Sequence, residues 1–173
     1  MQNNFLSGSF PEDFWKLKNL RLLNLSNNQF SGNIPSSIDQ LTSLEELWLS
    51  SNNFSGELPY QLFLLGHLTH LNISDNNLKG NLSESISRLV NLEYLNLWNN
   101  EISGFIPLEI GDLSKLEFLS LSGNKITGEI PPELGNAKRL RSIALFENAL
   151  TGTIPTSITS LPGLEYIGLF DNN

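Results

Sequence analysis

Apolar residues recur along this chain in a compound rhythm that repeats every 24 residues. The stretch LEFLSLSGNKITGEIP from Leu116 to Pro131 is one copy. LRLLNLSNNQFSGNIP from Leu20, LEELWLSSNNFSGELP from Leu44, LEYLNLWNNEISGFIP from Leu92 and LRSIALFENALTGTIP from Leu140 are others. A fixed period of this size predicts a solenoid, in which each repeat buries its apolar face only against its neighbours. Within the copy, Leu119 and Leu121 alternate with Phe118, Ser120 and Ser122. This is strand spacing, so each repeat is expected to carry one short strand with leucines inward and the intervening residues outward. Successive strands then lie parallel, about 4.8 Å apart.

The rest of each repeat must turn the chain and bring it back. Asn4, Asn28, Asn52, Asn76, Asn100, Asn124, Asn148 and Asn172 stand at constant spacing, with no insertion or deletion between them. A carboxamide can both donate to and accept from backbone groups left unpaired at a turn, so stacked repeats predict a ladder of such bonds. Gly8, Gly32, Gly56, Gly80, Gly104, Gly128 and Gly152 recur where the chain needs a conformation or close approach that a Cβ disfavours. The Ile-Pro or Leu-Pro pair that follows fixes an extended segment. The return limb, such as PPELGNAKRL from Pro131, is expected to hold a short helical turn.

Met1 aligns with Leu25, and Asn4, Leu6, Gly8, Phe10 and Pro11 align with Asn28, Phe30, Gly32, Ile34 and Pro35. The sequence therefore opens within a repeat, and it stops within another at Asn172 and Asn173. The expectation is a single domain over residues 1–173, with about seven repeats, truncated at both ends and uncapped. Uncapped ends expose leucine edges, which predicts poor solubility or end-to-end association.

A formal net charge of -8 argues against a general attraction to nucleic acid or anionic lipid. With no cysteine there is no disulfide framework, thiolate metal site or cysteine nucleophile. Gln2, Asn3 and Asn4 follow Met1 in place of a basic and then apolar leader, and no apolar run is long enough to span a membrane. This segment is therefore expected to make no direct membrane contact.

The pattern LxxLxxLxLxxNxxxGxIP, repeated at this period over nearly the whole chain, resembles the plant-specific class of leucine-rich repeats. That class forms the extracellular regions of receptor-like kinases and receptor-like proteins, and also the polygalacturonase-inhibiting proteins. The resemblance implies a right-handed superhelix of α/β solenoid type. It would have a parallel concave sheet, a short second strand near the Gly-x-Ile-Pro segment, and 3-10 turns on the convex side. The chain departs from the family pattern in three ways. Ser83 replaces the proline expected after Leu82, which should loosen that segment; Ala137 replaces the leucine seen at Leu113 and Leu161; and the cysteine-bearing caps and any kinase signature are missing.

Function is expected at the outward strand positions, because packing does not dictate them. Their central column reads Asn24, Trp48, Asn72, Asn96, Ser120, Ala144, Gly168. The column before it reads Leu22, Glu46, His70, Tyr94, Phe118, Ser142, Tyr166, and the one after reads Ser26, Ser50, Ser74, Trp98, Ser122, Phe146, Phe170. Large aromatics on a solvent-facing sheet are favoured anchors for a partner, although aromatics also favour strands for their own sake. Trp48, His70, Tyr94, Trp98, Phe118, Phe146, Tyr166 and Phe170 are accordingly the candidate ligand contacts. Tyr94, Trp98 and Phe118 are expected to form a patch that Phe146, Tyr166 and Phe170 continue.

The N-x-S/T sequons at Asn24, Asn53, Asn72 and Asn81 are candidate glycosylation sites. All precede residue 82, which directs a peptide or protein ligand to the strands from Tyr94 to Phe170. Glu45, Glu93, Glu117 and Glu165, set against Arg21 and Arg141, read as a solvated rim that could also steer a basic partner. His67 and His70 lack companions for a metal site or an acid–base role, and the serines recur as repeat residues without a nucleophile elbow. No catalytic residue, metal ligand or cofactor is assigned. The expected function is recognition of a protein or peptide ligand, together with a co-receptor, at the cell surface. The alternative is a secreted inhibitor of a cell-wall-degrading enzyme.

Overall fold

The computed structural model describes residues 4–10 and 12–173; Met1 and Pro11, aligned above with Leu25 and Pro35, lie outside the described residues. Seven three-residue strands form one parallel sheet: Leu22–Asn24, Glu46–Trp48, His70–Asn72, Tyr94–Asn96, Phe118–Ser120, Ser142–Ala144 and Tyr166–Gly168. They follow one another in chain order, each pairing with the strand 24 residues away, so that Phe118 stands between Tyr94 and Ser142. Leu47, Leu71, Leu95 and Leu119 point inward and are fully buried. Each such leucine contributes about 1.5–3 kcal/mol of burial, which is why strand spacing with inward leucines dominates the fold.

A second set of short strands follows the asparagines. Ser7–Gly8, Gln29–Asn33, Asn53–Glu57 and Asn77–Lys79 form one parallel sheet, and Ser103–Gly104, Lys125–Glu129 and Ala149–Thr151 form another. Among the described residues a single bridge, between Asn81 and Ser103, joins them. The break falls in the coil where Ser83 replaces proline, yet the expected loosening is not what the backbone shows. Ser83 adopts φ -83° and ψ 144°, close to the φ -70° and ψ 131° of Pro59, and its hydroxyl accepts a bond from the Ser85 N–H at 3.1 Å. An N-cap has taken over the role of the ring. The Glu101 and Ser103 amides still donate to the Leu78 and Gly80 carbonyls, both at 2.8 Å, so the coils stay bonded across the break.

Among the described residues the return limbs carry six 3-10 turns, Glu12–Lys16, Ser36–Gln40, Tyr60–Leu64, Glu84–Arg88, Leu108–Asp112 and Pro132–Asn136. The seventh, Thr156–Thr159, is instead a single α-turn. There the Thr159 and Ser160 hydroxyls both donate to the Thr156 carbonyl at 2.9 Å, which favours the wider turn. Successive limbs pack tightly: a Cβ on Gly111 would lie 2.1 Å from the Glu133 carbonyl oxygen. Ala137 is fully buried, so the core closes over the smaller side chain. At the outermost coils, Leu6, Ile154 and Ile167 are 42%, 50% and 40% exposed, whereas their counterparts in inner coils are buried.

The asparagine ladder is formed as expected. The Asn100 amide group donates to the carbonyls of Ile73, Leu97 and Trp98 at 3.1, 3.2 and 3.3 Å, and its Oδ1 accepts the Leu78 N–H at 3.0 Å. One side chain thus serves its own turn and the preceding coil. The residue before each ladder asparagine from Asn28 onward sits in the left-handed region, as Asn99 does at φ 53° and Glu147 at φ 54°, which swings the chain out of the strand. Replacing Asn100 by alanine leaves these buried backbone groups without partners. It is expected to cost about 2–4 kcal/mol in urea unfolding, against less than about 0.5 kcal/mol for Asn77→Ala on the exposed surface.

Candidate ligand-binding face

The outward residues of the seven-stranded sheet project at a spacing set by strand pairing, and several lean along their own strands. The Trp48 indole N–H donates to Glu46 Oε2 at 2.9 Å, which carries its ring back toward the column of Glu46 and His70. Asn96 donates to the Tyr94 hydroxyl at 3.2 Å. Rings on four consecutive strands then stack. The centroids of Trp48 and His70 are 5.9 Å apart, those of His70 and Tyr94 5.9 Å, and those of Tyr94 and Phe118 4.4 Å with planes 8° apart. Such pairs add about 0.5–1.5 kcal/mol beyond the area they bury.

Phe146 and Phe170 form a second stack in the column on the other side of the central one, 4.4 Å apart with planes at 9°. Trp98 is exposed and has no ring partner among the described residues. Its indole nitrogen instead lies beside Gly123, where a Cβ would come within 3.5 Å. The continuous patch expected from Tyr94, Trp98 and Phe118 on to Phe170 is therefore two offset stacks, with Trp98 beside the first, next to the strand of Tyr94, and Tyr166 standing apart. The first stack starts earlier than expected, at Trp48.

Some outward positions are less open than the alternation implies. Ser26, Ser74, Ser120 and Ser122 are all buried. A serine is short enough to lie below its larger neighbours: Ser74 donates to Asn72 Oδ1 at 2.7 Å. Ser122 is aligned by backbone bonds between Trp98 and Phe146, and its hydroxyl has no partner among the described residues. Of the sequon asparagines, Asn53 and Asn81 are exposed, whereas Asn24 and Asn72 are half-buried on the sheet and accept the amides of Ser26 and Ser74 at 3.1 Å. Glu46, Asn96 and Gly168, which orient rings, were missed by sequence reasoning. Their signal is the spacing of two residues within a strand, which puts neighbours on one face.

Charges flank the stacks. Arg21 grips Glu45 with two bonds of 2.8 Å, and Arg141 meets Glu165 at 2.7 Å. Glu93 and Glu117, between those pairs, have no ion-pair partner among the described residues. No group of three or more His, Cys, Asp and Glu among the described residues is placed to hold a metal, and no described helix is long and apolar enough to cross a membrane.

Family models for leucine-rich repeats match residues 18–61 and 66–126, together more than half of the chain. The chain belongs to the leucine-rich-repeat family, in its plant-type form. It is similar to the ectodomain of the Arabidopsis thaliana membrane receptor kinase GASSHO1/SCHENGEN3, solved with CASPARIAN STRIP INTEGRITY FACTOR 2. The identity is 35% and the TM-score 0.97, over 100% of this chain and 21% of that one. The Arabidopsis receptor kinase HAESA, in complex with the peptide hormone IDA and the co-receptor SERK1, matches at 34% identity and TM-score 0.78, over 100% of this chain and 33% of that one. A leucine-rich-repeat protein of Leptospira interrogans matches at 34% identity and TM-score 0.84, over 99% of this chain and 42% of that one. The leucine-rich-repeat chain thus spans well under half the length of these structures. The comparison with curated proteins returns no match.

On the flank of the second sheets, Lys125 hydrogen-bonds Glu101 at 2.7 Å and Lys79 stands 4.0 Å away. The Lys125 bond and charge, followed by the Lys79 charge, hold the Glu101 carboxyl below the ordinary range. A carboxylate depressed in the folded state adds stability above its unfolded pKa and loses it as pH falls through the folded value. Removing the cation in Lys125→Met should therefore raise the Glu101 titration midpoint, followed by carboxyl carbon NMR. Because the pair is exposed, added salt should shift the parent protein the same way.

Proposed function

We propose that this chain is a single, non-catalytic recognition domain that binds a peptide or protein segment across the strands from Tyr94 to Phe170. It would serve within the extracellular sensing region of a plant-type receptor kinase or receptor-like protein. The observation that carries this reading is the array of stacked and exposed rings on a sheet face that core packing leaves free. Trp98, Tyr166 and Phe170 are 40%, 47% and 55% exposed there, and aromatic side chains are the residues most often found as binding anchors.

Two of the similar structures support the choice of ligand class. The HAESA ectodomain is in complex with a peptide hormone and a co-receptor, and the GASSHO1/SCHENGEN3 ectodomain is in complex with CASPARIAN STRIP INTEGRITY FACTOR 2. The mechanism is a rigid platform: consecutive coils hold side chains at a fixed strand spacing, so little conformational entropy is lost on docking. A co-receptor would then read the composite surface. The sequon at Asn72 lies beside the Trp48 end of the first stack. A glycan there would cover that end and leave the Phe118 end open. No observation favours the enzyme-inhibitor alternative.

A displayed library of random linear peptides, selected against the chain, tests the reading. Selected peptides should lose at least about tenfold in affinity on the double variant Trp98→Ala, Phe118→Ala, with the far-ultraviolet circular dichroism spectrum unchanged. Hydrogen exchange should slow between Tyr94 and Phe170. Protection confined to the first three strands, or equal affinity for the double variant, would defeat it.

A further inference from the structure

The first ring column is missing one rung. Rings occupy it on the strands Glu46–Trp48, His70–Asn72, Tyr94–Asn96 and Phe118–Ser120; the next strand puts Ser142 there, and the one after puts Tyr166. We infer that the gap over Ser142 is a slot for the guanidinium of an arginine side chain on the bound peptide, so that the ligand completes the column. This deepens, and rests on, the reading of the sheet as a peptide-binding face.

The dimensions fit one planar group. Phe118 and Tyr166 are two strand steps apart, about 9.6 Å, and neighbouring rings in the column stack at 4.4 Å. A flat group above Ser142 would stand one strand step, about 4.8 Å, from each of the two ring positions, close to that stacking distance. The Tyr166 ring leans along its strand over Gly168, where a Cβ would fall 2.5 Å from the hydroxyl oxygen; a glycine is what lets the ring lie down. One face of Phe118 is covered by Tyr94, and the face toward Ser142 has no ring partner among the described residues. The floor is shallow: Ser142 is half-buried and Ala144 is 6% exposed.

Charge selects among planar groups. Glu117 immediately precedes Phe118 at the rim, with Glu93 one coil away, and neither has an ion-pair partner among the described residues. Arg141, which precedes Ser142 one coil along from Glu117, is already held by Glu165 at 2.7 Å. A phenyl ring would stack in the slot and leave Glu117 unanswered. An ammonium would answer Glu117 but has no plane to stack. A guanidinium does both, since it stacks on aromatic faces and offers N–H groups in a fork that a carboxylate and the Ser142 hydroxyl can accept.

The test is a titration of the isotope-labelled chain with N-acetyl-arginine amide, read from backbone amide NMR shifts. N-acetyl-lysine amide and N-acetyl-phenylalanine amide serve as competitors in parallel. Saturable shifts are expected at Phe118, Ser142, Ala144 and Tyr166, with the arginine probe about tenfold stronger than either competitor. Ser142→Phe, which fills the slot from within, should abolish them. Tyr166→Leu, which removes one wall on the exposed face, should weaken them severalfold if the first variant does not fold. Glu117→Gln should bring arginine down to the level of phenylalanine. The inference is overturned if the phenylalanine or lysine probe binds as well as arginine, or if shifts fall outside this column. It is also overturned if peptides selected on the face are lost with Trp98→Ala, Phe118→Ala but show no arginine preference and no effect of Ser142→Phe. In that last case the peptide-binding face itself stands.

Discussion

The structure depends on a register constraint imposed by one side chain per coil. Each ladder asparagine from Asn52 to Asn172 reaches carbonyls of its own turn and a carbonyl 27 residues earlier, while accepting an N–H 22 residues earlier. A coil inserted or shortened by a single residue would break these bonds at once, because the groups concerned are buried and have no water to fall back on. It would also turn a row of leucines toward solvent, since strand side chains alternate with a period of two. Burial supplies most of the stabilisation, and the amides decide which residue sits beside which. That is why the columns on the outer face are straight, and why side chains 24 residues apart can stack at all.

Most of the scaffold was legible in the sequence because its causes repeat. Inward leucines, asparagines and glycines each answer a requirement that recurs in every coil, so the requirement appears as a column of one residue type. Gly56 shows the reason: at φ 80° its backbone suits glycine, and a Cβ would press within 2.4 Å of the Asn33 side chain. The left-handed turn before each asparagine from Asn28 onward recurs just as strictly but left no such column. Asn27, Ser51, Asp75, Asn99, Gly123, Glu147 and Asp171 all occupy it, because its side chain is free to vary and only the backbone is constrained. The first coils hid another feature. Phe10, Phe30 and Phe54 take positions that are Leu or Ile later, and their rings stack together beneath Trp15, at 5.7 Å for Phe10 and Phe30. An apolar pattern does not distinguish a ring from an isobutyl group.

The candidate face was legible only in part, for a different reason. The sequence specifies which residues share a column, and pairing confirms those columns. Which way a ring leans depends on a partner two residues along the same strand: Glu46 for Trp48, Asn96 for Tyr94, and the absent side chain of Gly168 for Tyr166. These local choices divide the aromatics into separate stacks. They also hide ring faces against one another and present edges to solvent, so an open face, as at Phe118, is a scarcer feature than an exposed aromatic.

Rim charges follow the same logic of pairing between coils. Where opposite charges fall 24 residues apart, as at Arg21 and Glu45 or Arg141 and Glu165, they neutralise each other across the strand spacing. Where glutamates follow glutamates, at Glu93 and Glu117, two carboxylates stand on adjacent strands with no cation between them among the described residues. Exposed like charges at this separation repel by only about 1 kcal/mol in water, little enough for the leucine core to tolerate. Their field nevertheless extends about 8 Å at physiological salt, far enough to reach a ligand over the Tyr94 and Phe118 stack. On a surface whose other strand-edge charges are paired off, this unmatched pair sets the local sign, and it does so at the end of the column where a ring face is open.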